Sequence, residues 1–413
     1  MPKRRVVITG IGVVSSIGCG VDAFADALRA GRSAISPIRS FDTTGFPNFM
    51  AGEIHDFEPT RWLKRLDPST CGRTSQLAAA AARMAVDDAR LDPELWSESV
   101  AGSCVGTTAG ESQVLERLTA EWLERGPAEM TPALARQISA SRLPISVNRE
   151  LGITGEAITV STACSAGNYA IGFGYDLVQT GEADYMVCGG ADAISRWVHA
   201  GFFRLGAIAP AMCQPFDKNR QGILAGEGSG MLVLEPLEGA LSRNARIYAE
   251  VLGYGLNCDA NHMVAPDANS IATCIRRAHA NSGIRPEHVE YICAHGTGTK
   301  TNDVVETNAI REVFGSRMPV MSSIKSMLGH TMGAASALGA IACALAISRG
   351  FIPPTINFTE PDPECPVDCV PNDAREAELN VIQNNGFAFG GNNAITILGR
   401  DTWVSENLTG RVH

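Results

Sequence analysis

The 413 residues, 45% of them hydrophobic, are enough to bury a large two-lobed core or two to three domains. A formal net charge of −10 argues against a generic nucleic-acid binder, and an acidic partner would need a local basic patch to dock. The twelve cysteines are scattered singly, which argues against a disulfide framework and for a reducing cytoplasm; Cys365 and Cys369 lack a second pair at zinc spacing, so no metal is expected.

Met1-Pro2-Lys3-Arg4-Arg5 leads directly into Val6-Val7-Ile8-Thr9, without the apolar stretch of a signal peptide. The longest apolar run, 332–348, is mostly Ala, Gly and Ser and reads as a core helix rather than a membrane span, so no membrane is expected as a partner. The first strand is expected over 5–9, ending in a tight turn at Gly10-Ile11-Gly12, with a helix over 21–28. A dinucleotide fingerprint fails on spacing, because the next glycine falls at Gly18. The basic cluster Arg61, Lys64 and Arg65 precedes an alanine-rich helix over 75–89 and, on the residues alone, reads as a solvated helix face.

Strands follow at 100–106, 158–160, 185–188 (closing on Gly189-Gly190) and 231–234, with helices between them, which gives an α/β fold with covered sheets. From about residue 247 the pattern restarts. A strand over 247–252 runs into Gly253-Tyr254-Gly255, then come a helix over 271–279 and strands at 289–294, 320–323 and 394–398. Two halves of similar order, 1–246 and 247–413, predict a duplicated fold with the catalytic cleft where they meet.

The chemistry centres on Thr162-Ala163-Cys164-Ser165-Ala166-Gly167. Cys164 follows a β-branched strand and opens a helix, where unpaired N–H groups favour a thiolate and small neighbours let a substrate approach. For a cysteine in general, a buried packing role is the more common reading. His295 and His330 each follow a strand and sit beside glycine, which raises a catalytic reading when a turn cysteine is present, whereas His262, in a loop, has no such frame. Glycines around Phe389 would let backbone N–H groups face a reacting carbonyl.

The cysteine motif, His295-Gly296-Thr297-Gly298-Thr299, Lys325-Ser326-Met327-Leu328-Gly329-His330 and Phe387-Ala388-Phe389-Gly390-Gly391 together resemble the signature motifs of the β-ketoacyl-acyl-carrier-protein synthases of the type I/II kind. So does the run from Pro215 to Gly228, and the likeness extends from Val6 to Leu398. The resemblance implies a thiolase-type fold, a duplicated five-layered αβαβα sandwich, as a homodimer or as a heterodimer with a chain-length-factor-like homologue. It implies a decarboxylating Claisen condensation that elongates a fatty-acyl or polyketide chain.

By match to the motifs, Cys164 would carry the acyl group, and His295 and His330 would stabilise the enolate from malonyl thioester. The N–H groups of Cys164 and Phe389 would form the oxyanion hole, with Phe389 also a gate. Lys325 and Glu306 would be a supporting charge pair, with Asp303 a further support. Thr297 and Thr299 would bind the pantetheine arm, which arrives as phosphopantetheine on the carrier protein, with no cofactor of the enzyme's own. Arg61, Lys64 and Arg65 would receive the acidic carrier protein.

Lys300-Thr301-Asn302, Gly386, Asn392 and Val264 depart from the usual pattern and bear on substrate choice. Ala109 stands where a larger residue often closes the acyl pocket, and would leave room for a longer or stiffer chain. A thiolase would need a second cysteine in the terminal glycine-rich loop, and 384–393 contains none. A non-catalytic chain-length factor would lack Cys164, and a cysteine hydrolase would have no use for the second histidine and Lys325.

Overall fold

The computed structural model describes residues 3–92 and 98–408. Its first half supplies β1 (Val6–Ser15), β2 (Ala101–Gly106), β3 (Ala157–Val160), β4 (Tyr185–Asp192) and β5 (Gly228–Pro236). Its second half supplies β6 (Ala249–Cys258), β7 (Tyr291–Cys293), β8 (Val320–Ser322), β9 (Val381–Phe387) and β10 (Asn392–Gly399). These strands run in the order β8-β7-β9-β10-β6-β1-β5-β4-β2-β3. Read outward from the middle, each half follows the same path: first strand, fifth or last, fourth, second, third. In each, the first two pairings are antiparallel and the last two parallel. The halves meet through a short antiparallel ladder, Val6 opposite Val251 and Ile8 opposite Ala249.

Helices cover both faces. The longer ones are α1 (Val21–Arg29), α2 (Arg73–Ala89), α3 (Ser112–Arg125), α4 (Arg142–Leu151), α5 (Ala166–Thr180), α6 (Arg196–Arg204), α7 (Ala268–Ser282), α8 (Lys300–Phe314) and α9 (Ala335–Arg349). One apolar cluster joins α5 and α9 to strands of both halves, through Ile171 and Leu338 with Cys188, Leu234, Ile382 and Leu398. A second packs α2 and α4 on the outer face of the first half, and a third packs α7 and α8 on the second. The layers are therefore helix, sheet, helix, sheet, helix, the duplicated thiolase-type αβαβα arrangement. The apolar stretch Met332–Arg349 is 89% buried in the middle layer, which accounts for its hydropathy as a core helix.

Small residues make this layering possible, and here the glycine-as-turn reading fails. β1 does not end at Gly10-Ile11-Gly12; it continues to Ser15. A Cβ on Gly10 would lie 2.1 Å from the Ala85 carbonyl oxygen, and one on Gly12 would lie 1.8 Å from that of Ala81. The glycines let the backbone of α2 rest directly on the strand. The same correction applies to Gly189, inside β4, whose Cβ would meet the Gly230 carbonyl oxygen at 1.9 Å, and to Gly255, inside β6, which touches α7 at Cys274.

β9 runs through Asn384-Asn385 to Phe387, where the sequence reading places only a strand end. Both asparagines are buried with their amides satisfied. Asn384 Nδ2 donates to Asn168 Oδ1 at 2.7 Å and to the Ser336 carbonyl at 2.8 Å, so it ties β9 to α5 and α9. Asn385 Nδ2 donates to Glu306 at 2.9 Å.

Candidate active site

β3 ends at Val160, and a 3-10 turn, Ala163–Ser165, delivers the chain into α5. Ala163 takes φ +49°, a left-handed conformation that costs a non-glycine residue about 1 kcal/mol. The second half repeats the device: Met332, at φ +52°, opens a 3-10 turn that feeds α9. Gly167 lets the two helices touch, since a Cβ there would lie 2.5 Å from the Ala337 nitrogen. Cys164 thus sits at the junction of the halves, 5% exposed, at the wall of a narrow cavity of about 80 Å³. His295, Thr297, Thr299, His330 and Phe389 line the same cavity.

Both histidines are fixed at the main chain. The His295 N–H donates to Glu306 Oε1 at 2.8 Å, and its carbonyl accepts from Lys325 Nζ at 2.6 Å. His330 donates its N–H to the Leu224 carbonyl at 2.7 Å, and its ring Nδ1 accepts from the Met332 N–H at 3.1 Å. In the neutral ring that bond leaves the proton on Nε2. The two imidazoles meet edge to face with centroids 5.6 Å apart. Burial, and then the positive charge of Lys325, hold both pKa values well below the ordinary histidine range, so both are neutral donors at physiological pH.

The thiol departs from expectation. Burial pushes Cys164 up to about 12, against the opposing pull of Lys325 and of the N–H groups of Cys164 and Phe389. The resting group is a thiol, because a single 3-10 turn in a dry site does not offset the loss of solvation. Those two N–H groups nonetheless lie within hydrogen-bonding reach of the sulfur.

The supporting residues sit close by, with one correction. Lys325 and Glu306 form no ion pair; each instead holds one side of the His295 backbone. Glu306 also accepts from the Gly296 N–H at 2.8 Å. Asp303 accepts from the N–H groups of Phe216, Thr297 and Gly298 and so shapes the loop carrying Thr297. Thr297 and Thr299 share a hydroxyl contact of 2.9 Å, and Thr299 also caps α8.

Other residues fall elsewhere. Ala109 is half-buried with Val198, Met332 and Phe202 and borders a second, more open groove rather than the Cys164 cavity itself. Arg61, Lys64 and Arg65 are exposed around a 3-10 turn and the loop after it, not on a helix face, and none lines the cavity. Lys64 pairs with Asp87 at 3.1 Å. His262, read as an ordinary loop histidine, lines the Cys164 cavity, with Nδ1 accepting from the N–H groups of Val264 and Ala265. Phe202, whose ring lies 5.6 Å from that of Phe389, was also missed. Both come from segments without strand-end glycine signatures, and tertiary structure alone brings them in.

Comparison with known proteins identifies the family. Two family models match: the beta-ketoacyl synthase N-terminal domain over residues 3–240 and the C-terminal domain over 248–359. A 3-oxoacyl-[acyl-carrier-protein] synthase 2 of Synechocystis is 39% identical, over 95% of this chain and 97% of that protein. The ketoacyl synthase alpha subunit of the tetracenomycin polyketide synthase of Streptomyces glaucescens is 41% identical, over 96% and 97%. A solved structure of the ishigamide ketosynthase/chain length factor superposes with a TM-score of 0.95 at 55% identity, covering 96% of this chain and 99% of that one. The chain belongs to the β-ketoacyl synthase family.

Proposed function

We propose that the protein is a β-ketoacyl-acyl-carrier-protein synthase that elongates an acyl chain by decarboxylative condensation. The observation that carries this reading is one cavity holding a thiol and two neutral imidazoles across the seam between the halves. In the first half-reaction, Cys164 sulfur attacks the acyl thioester, the tetrahedral oxyanion lies against the N–H groups of Cys164 and Phe389, and the pantetheine thiol leaves with the cysteine proton. In the second, malonyl thioester loses carbon dioxide and the enolate oxygen is held by N–H groups of His295 and His330. The enolate carbon then attacks the acyl carbonyl, the carbon–sulfur bond to Cys164 breaks, the sulfur takes up a proton from solvent to restore the thiol, and a β-ketoacyl thioester departs.

In this reading residues 1–246 supply the nucleophile and 247–413 the two histidines. Thr297 and Thr299 receive the pantetheine arm, which arrives as phosphopantetheine on the carrier protein. Arg61 and Arg65, exposed and basic, with Lys64 beside them, offer the carrier protein a landing place. A chain-length-factor-like homologue is the favoured partner subunit. It would cover the open edge of β3 and the exposed Leu123 and Trp197 beside the groove at Ala109. Twelve free thiols suit the cytoplasm.

The test is reconstitution with acyl- and malonyl-carrier protein, with and without such a partner. Formation of β-ketoacyl-carrier protein that is lost in Cys164→Ala supports the reading. Unchanged condensation in that variant overturns it.

A further inference from the structure

Asp192, the last residue of β4, is 1% exposed and accepts four hydrogen bonds. Three come from the loop after β2: Thr107 Oγ1 at 2.8 Å and the Ala109 N–H at 3.0 Å to Oδ1, and the Thr108 N–H at 2.7 Å to Oδ2. The fourth comes from the other half of the molecule, the Gly333 N–H at 2.7 Å to Oδ2. A single carboxylate oxygen therefore joins one donor from each half.

Gly333 holds in the second half the position that Cys164 holds in the first, second in a 3-10 turn opened by a left-handed residue. The N–H of Cys164 faces its own sulfur, whereas that of Gly333 is taken by Asp192. This bond pins the turn just after Met332, whose strained φ needs support from its surroundings. The Met332 N–H is the donor that fixes Nδ1 of His330 as an acceptor. The turn also has no slack there, since a Cβ on Gly333 would lie 2.5 Å from Cα of Thr107 and 2.7 Å from Asp192 Oδ2.

We infer that Asp192 is a positioning residue for the malonyl half-reaction: through Gly333 and Met332 it sets the tautomer and aim of His330, and through Thr108 and Ala109 it ties that setting to the wall of the second groove. A carboxylate meets four donors with acceptors only. An amide in its place turns an N–H₂ group toward backbone N–H groups, so the turn must shift. The inference rests on the role proposed for His330.

The test compares the two half-reactions in Asp192→Asn: decarboxylation of malonyl-carrier protein, and single-turnover acylation of Cys164 followed by mass spectrometry. Decarboxylation should fall roughly 10- to 100-fold, the loss expected when a charge-assisted bond is removed, with acylation within about 3-fold of the parent. Asp192→Glu, which keeps the carboxylate, should recover part of the loss. The ¹⁵N spectrum of His330 should show the Nε2–H tautomer in the parent and a mixture in Asp192→Asn. If Asp192→Asn does not fold, Asp192→Glu carries the same comparison, with decarboxylation again the more affected step. Equal loss in both half-reactions, or an unchanged His330 spectrum, overturns the inference. His330→Ala serves as the control: full decarboxylation there overturns the proposed role of His330 itself. Loss there, with parental decarboxylation in the Asp192 variants, overturns only the role of Asp192.

Discussion

Lys325 Nζ lies 2.6 Å from the carbonyl oxygen of His295 and makes no ion pair with Glu306, which instead holds the N–H of the same histidine. Burying an ammonium and a carboxylate is costly unless each is hydrogen-bonded, and here the backbone between them supplies the partners. His295 is thereby gripped from both sides while its ring stays free to face the cavity. The charge on Lys325 has a second effect, because it helps to keep both imidazoles unprotonated.

Lys325→Met should therefore lower malonyl decarboxylation and also move its acid limb. Removing a nearby positive charge raises the histidine pKa values, so the protonated, inactive form appears at higher pH than in the parent. The parent, with both pKa values held well below the usual range, should show no histidine inflection near pH 6.5. Rate profiles from pH 5 to 8 for both proteins check this, and a shift of the variant's acid limb to lower pH would contradict it.

The buried thiol leads to a different pH dependence. With Cys164 at about 12, the thiolate fraction is small at neutral pH and rises about tenfold for each pH unit. Alkylation of the free enzyme by iodoacetamide at Cys164, followed by peptide mass spectrometry, should keep climbing from pH 7 to 9. A plateau near pH 7 would mean a thiolate that already exists in the resting site.

Ala109 packs in one cluster with Phe202, which lines the Cys164 cavity, and with Met332, beside the His330 turn, and it also lines the second groove. Ala109→Ile should shorten the longest acyl group that accumulates on Cys164 while leaving short chains unaffected. Acyl-enzyme profiling over a chain-length series decides, and an unchanged profile would contradict a role for Ala109 in chain length.

Gly12→Ala places a methyl 1.8 Å from the Ala81 carbonyl oxygen, in a contact between rigid backbones. The cost should be about 3 kcal/mol or more, read as a lowered midpoint in chemical unfolding. A glycine serving a turn there would tolerate alanine with little loss.

That glycine also marks the limit of what the sequence revealed. The α/β order, the duplication and the elements around Cys164, His295 and His330 were legible because strand, glycine and helix recur in sequence with local chemistry. Gly10, Gly12, Gly189 and Gly255 were misread because a glycine that admits a neighbouring backbone looks the same as one that turns a chain. The continuation of β9 through Asn384 and Asn385 was hidden because both are satisfied by α5, α9 and Glu306, partners remote in sequence. The high pKa of Cys164 and the place of His262 in the cavity likewise arise only once the layers close.

The most direct test of the central claim is intact-protein and peptide mass spectrometry after mixing the enzyme with acyl-carrier protein in the absence of malonyl-carrier protein. The account predicts one acyl group, in thioester linkage on Cys164, which disappears when malonyl-carrier protein is added and β-ketoacyl product forms. An enzyme that condenses without ever carrying an acyl group at Cys164, or that carries it on another residue, would contradict it.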